Sequence, residues 1–177
     1  MPRYLIAVLL GLTTLAFAQQ PSQTKPDSTL KTVLLQELRE AHNEKNWFVS
    51  EKEAVAGLTA EQAAWNDGKN HSVGQLVQHL NYWNSAILAK FKQQPAPKTP
   101  DNDATFAFDP KQWDTAQKEF DRIMQELEQF VESADAATLE KIAPTVARIG
   151  QHNAYHIGEM VTSRKKQGTW NPEAGVK

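Results

Sequence analysis

From Leu30 onward the apolar residues of this chain recur at helical spacing, and no stretch sustains the in–out alternation of a strand. A chain with that single periodicity has no sheet to build on and must bury helix against helix. Leu30, Val33, Leu34, Leu38 and Ala41 share one face, and Trp47, Phe48 and Val55 continue the spacing. The first helix is therefore expected to start after Asp27 or Ser28, either of which suits an N-cap, and to run to Gly57. "TAEQ" at residues 59–62 is a capping box for a short helical turn reaching Trp65.

Ser72 and Gln75 form a second capping box, and Val73, Leu76, Val77, Leu80, Trp83, Ile87 and Phe91 follow as the stripe of a second helix. "QQPAPKTPDND" at residues 93–103 is proline-rich, hence an extended crossover long enough to pass the end of a bundle. Asp109 and Pro110 are a cap followed by proline at the first helical position. They open a third helix carrying Trp113, Ala116, Phe120, Ile123, Met124, Leu127, Phe130 and Val131. "ADAATLEKIAP" reads as a connector with one helical turn, Pro144 as the start of the fourth helix, and Gly168 as its end. "TWNPEAGVK" is a tail that docks Trp170. The expected fold is an all-α four-helix bundle over residues 29–170, with a long crossover between helices two and three and a tail at 171–177.

The N-terminus stands apart. Arg3 precedes an apolar run from Tyr4 to Leu15, and Ala16-Phe17-Ala18 has the small–any–small pattern of a cleavage site. Residues 1–18 are expected to be a signal peptide cleaved after Ala18, which implies export to the periplasm or, second, to the medium. The apolar run falls short of the ~20 residues of a comfortable membrane span, so no stable insertion is expected after cleavage. Residues 19–28 read as a polar, proline-containing linker.

The chain has no cysteine. A metal site here must use nitrogen and oxygen ligands, and no thiol nucleophile is available. A net charge of −2 and the lack of any basic run give no support for nucleic-acid binding.

"QHNAYHIGEM" holds the chemistry. At about 100° per residue, His152 and His156 lie about 40° apart on one helix face and can reach one ion. Val146, Ile149, Gly150, Asn153, Ile157 and Met160 mark the buried stripe of that helix, and the pair sits at its edge. His79 sits at the edge of the second helix's stripe, between Leu76 and Trp83. Three seam histidines could form a three-nitrogen face with positions left for water and substrate. They could equally be hydrogen-bonded core histidines. Glu159 follows His156 by three, as an acceptor for an imidazole N–H, a fourth ligand, a general base or a solvated carboxylate. His71 lies in a loop beside the Ser72 cap and could line the site mouth. His42 reads as a surface residue. Tyr82 and Trp83 are core aromatics or pocket walls, Asn153 could orient a ligand, and Arg148 and Arg164 could contact an anionic substrate.

"HSVGQLVQHLNYWN" and "HNAYHIGEMVTSRKKQGTW" resemble the two signature helices of the DinB/YfiT-like superfamily, and "LTAEQAAW" fits the same pattern. The resemblance implies a four-helix bundle that binds one divalent metal through His79, His152 and His156. Nickel or zinc come first among the ions, with iron or manganese after them. It further implies a metal-dependent enzyme acting on a small molecule, of thiol-dependent transferase or isomerase type, with homodimers among the relatives. Because such thiols are cytoplasmic and export is expected, a hydrolase using a metal-bound water, with Glu159 as base, is the other enzyme type expected. The alternative is a non-catalytic, structural metal site. The family often has glutamine where this chain has Glu159.

Overall fold

The computed structural model describes residues 27–98 and 101–175. The expected signal peptide, and the linker up to residue 26, lie outside the described residues. Helices begin where the sequence caps them. Ser72 accepts from the Gln75 backbone N–H while the Gln75 side chain accepts from the Ser72 N–H. Thr59 and Gln62 do the same, so one side-chain pair at each start satisfies two backbone donors. Six α-helices result among the described residues: α1 Asp27–His42, α2 Glu51–Val55, α3 Ala60–Ala64, α4 Val73–Phe91, α5 Trp113–Ser133 and α6 Ala136–Gln167. No strand occurs among them. The four long helices form the bundle, with α1 and α4 on opposite corners and each packed on both α5 and α6.

The direction of each helix follows from its contacts. Asn81 donates to the Ala116 carbonyl and Phe91 stacks on Phe130, so α4 and α5 run parallel. His79 meets His156 while Asn84 meets Asn153, so α6 is antiparallel to α4. A parallel pair cannot be joined by a short turn. The connection between α4 and α5 must return the length of α4, and it does so along the outside of that helix. Tyr82 bonds the Pro97 carbonyl, Thr105 bonds His79, and Phe108 covers Gly74. Gly74 has no side chain for this reason: a Cβ there would lie 2.2 Å from the Phe108 ring. The expected crossover is thus a strap laid along α4.

Three expectations need correction. The first helix does not reach Gly57; it stops at His42, and α2 begins afresh at Glu51 with Ser50 as its cap. Trp47, which prolonged the apparent period, is fully exposed. Pro144 does not open the last helix but lies inside α6, which starts eight residues earlier from the Asp135 cap. Leu139 and Ile142 are buried and extend the core stripe across it, while Pro144 faces solvent. His42 is not a surface residue: it is 1% exposed, with Nδ1 2.8 Å from Glu128 and Nε2 2.8 Å from Asp121. Carboxylates only accept, so the imidazolium satisfies both. Burial alone would lower its pKa, but the two carboxylate bonds raise it above the ordinary value.

The other expected ends hold. Pro110 opens a 3-10 turn leading into α5 at Trp113, and Gly168 closes α6 at φ +78°, where a side chain would be strained. The tail docks, with the Arg164 guanidinium 5.3 Å from the Trp170 ring centre. Arg164 itself is 6% exposed and donates to the Ala54 and Thr169 carbonyls, so it ties α6 to α2 and the tail rather than facing a ligand. Glu51 is also buried, and its Oε1 has no hydrogen-bond partner. Burial, then the nearby Asp121 carboxylate, push its pKa up to about 8. No helix among the described residues is long and apolar enough to cross a membrane.

Candidate metal centre

His79 from α4 and His152 and His156 from α6 converge where the antiparallel pair of helices meets. The His152 Nε2 lies 3.3 Å from the His79 Nε2 and 3.1 Å from the His156 Nε2. One ligand atom from each lies within 4.8 Å of the other two, and no other group of this kind occurs among the described residues. Nitrogens bound at about 2.0–2.1 Å in tetrahedral geometry stand roughly 3.3 Å apart. Two of the three separations match that spacing and the third lies within 4.8 Å, so the three imidazoles form a group that could hold one metal ion.

Their neighbours decide which nitrogen carries the proton. The Thr105 hydroxyl donates to the Asn102 carbonyl, so it accepts from the His79 Nδ1–H at 2.6 Å. The Glu159 carboxylate accepts from the His156 Nδ1–H at 2.7 Å. With Nδ1 protonated in both, each Nε2 presents a lone pair to the centre. One proton on His152 could satisfy only part of that demand, and a cation accepts all of it. Burial lowers the pKa of His79 to about 4, with further contributions from His156, His152 and His71. Burial and then His156 lower His152 to about 4. Both are neutral near pH 7, the form that binds metal.

The strap completes the site. Phe106 is sandwiched between His79 and His71, with ring centres 4.0 and 3.8 Å away and nearly parallel planes. His71, expected at the mouth, stacks on Phe106 and lines a neighbouring cavity rather than the one over the histidines. A cavity of about 450 Å³ opens over the histidines, walled by Trp83 and Ile87 of α4, Arg148 and Ile149 of α6, and Asn102 and Phe106 of the strap. Glu159 faces a neighbouring cavity of about 320 Å³, with Tyr155, Asp67 and Lys166 around it. Asn153 is not at the cavity. It is fully buried and accepts from the Asn84 side chain at 3.2 Å, a bond that fixes the register of α4 against α6. Tyr82 lies on the strap side of α4.

Sequence reasoning missed Thr105 and Phe106. The one signal is Phe106 with Phe108 inside a polar, proline-rich connection, which is weak without knowing where the connection runs.

A family model described as the DinB superfamily matches residues 52–161, more than half of the chain and all three histidines. No curated protein and no solved structure matches it.

Proposed function

Since the chain belongs to the DinB superfamily, we propose that it binds one divalent transition metal through His79, His152 and His156 and uses it as a metal-dependent enzyme. The substrate is a small molecule, and the reaction is of hydrolase or thiol-dependent transferase type. The observation that carries this reading is the convergence of three Nε2 atoms beneath an open cavity, two of them with tautomers set by Thr105 and Glu159. A closed, structural site would need a fourth protein ligand, and none joins the three among the described residues. Three imidazoles suit nickel or zinc and do not select between them. A bound ion would supply Lewis-acid polarisation and lower the pKa of a coordinated water or thiol.

The protein's own groups do the rest. Thr105 and Glu159 hold the Nδ1 protons and the ring planes, which makes Glu159 a positioning residue in this reading. The Phe106 ring covers one face of His79 and keeps water from it. Residues 1–18 would direct the protein out of the cytoplasm before cleavage.

Elemental mass spectrometry of the mature protein tests the site. About one equivalent of transition metal is expected in the wild type, lost in His79→Ala and His156→Ala. Failure to load metal even after reconstitution would overturn the reading. Full activity in a folded His156→Ala variant would remove the enzyme from it.

A further inference from the structure

The cavity over the histidines is chemically one-sided. Arg148, His152 and His156 are spaced four apart on α6, and His79, Trp83 and Ile87 are spaced four apart on α4. The helices run antiparallel, so the cavity extends from the histidines at one end to Ile87 and Arg148 at the other. Its length is one to two helical turns, roughly 6–12 Å. Arg148 is exposed and makes no ion pair or hydrogen bond with any described residue, unlike Arg39, Arg122 and Arg164, each of which has partners. Among the described residues no carboxylate lines this cavity; Glu159 is bonded to the far nitrogen of His156 and faces the neighbouring one. With a divalent ion on neutral imidazoles, the wall would carry the charge of the ion and of a guanidinium with no anion to balance them. Low-dielectric walls focus such a field.

We infer that this cavity takes a small molecule with a short apolar body and a terminal carboxylate, the acid group held by Arg148 and the reacting end at the three histidines. Trp83, 36% exposed, and Ile87 supply the apolar wall between the two ends. One planar guanidinium matches a carboxylate, which it can hold through two parallel bonds. A phosphate would call for further donors, and only the Asn102 side chain stands near. Arg148 is then a specificity residue, and the inference rests on the metal reading above.

The test uses cobalt-loaded mature protein and two thiols of equal length, ω-mercaptohexanoate and its neutral analogue ω-mercaptohexanol, with the thiolate-to-cobalt absorption band reporting binding. The acid is expected to bind about tenfold more tightly than the alcohol in wild type, the lower end for a hydrogen bond to a charged group. Arg148→Gln should abolish that preference without changing the affinity for the alcohol, and Arg148→Lys should restore part of it. Equal affinity for the two thiols in wild type would overturn the inference and leave the metal reading standing, as would an acid preference that survives in Arg148→Gln. Failure to retain cobalt would overturn the metal reading and this inference with it, whereas cobalt retained with no thiolate band from either probe would overturn this inference alone.

Discussion

Replacing Glu51 by glutamine should stabilise this protein, and the gain should grow with pH. Glu51 sits at the first position of α2, 4% exposed, with one carboxyl oxygen unpartnered and the Asp121 carboxylate nearby. Its pKa is raised from an ordinary 4.5 to about 8. Below 4.5 the carboxyl is protonated whether the chain is folded or not, so it contributes no pH dependence there. Between 4.5 and 8 the unfolded chain releases a proton that the folded chain keeps. Each pH unit in that window costs the folded state about 1.4 kcal/mol, hence about 3 kcal/mol near pH 7. Glutamine has the same shape and no proton to lose. Urea denaturation of both proteins, with metal removed by chelator, reads the difference directly, because every other titration is common to the pair. The gap should be small near pH ~5 and reach ~3 kcal/mol near neutrality, or roughly 5–10 °C in Tm for a domain of this size. A variant no more stable than wild type near pH ~8, or a gap that ignores pH, would refute the account of Glu51 as a carboxyl held protonated by burial.

Further outcomes follow from the site and the strap. Thr105→Val removes the acceptor that fixes the His79 tautomer, and metal affinity measured by chelator competition should fall about tenfold with the helical circular-dichroism signal unchanged. His79 and His152 are held near 4. Protons therefore compete weakly for them, and cobalt affinity should stay within about tenfold between roughly pH 7.5 and 5.5, whereas two histidines of ordinary basicity would lose about a hundredfold. By the same sign the metal-free protein should lose stability as pH falls from 6.5 towards 4, where the unfolded histidines bind protons that the folded ones refuse. Gly74→Ala should drive Phe108 off α4 at a cost of ~1–3 kcal/mol, seen as faster amide exchange across the strap.

The starts of α3 and α4 were legible to the residue, because a capping box is a local contest that a few side chains decide. The pairing of His152 with His156 was legible because helical spacing fixes which residues share a face, and joining His79 to them leaned on the family resemblance. What escaped was tertiary. Trp47 and Phe48 sit at helical spacing beyond His42, but a period does not reveal that the chain has turned away. Pro144 looks like a start, yet Leu139, Ile142 and Val146 bury one continuous stripe across it and outweigh the lost backbone bond. His42 looks solvated among polar neighbours until α5 brings Asp121 and Glu128 to it. Thr105 carries no mark of its role, since that role exists only where the strap passes His79.

The parallel pairing of α4 and α5 also sets an order of events in time. His79 waits for partners 73 residues further along the chain, and the strap between them must be laid back along α4 before α5 can dock. Pairings of such sequence separation close late and slowly. A chain emerging N-terminus first has its first two long helices and the strap in place before His152 exists. The centre is therefore assembled by the final helix, and a chain cut short in α6 before His152 would keep much of its helix content while lacking the centre entirely.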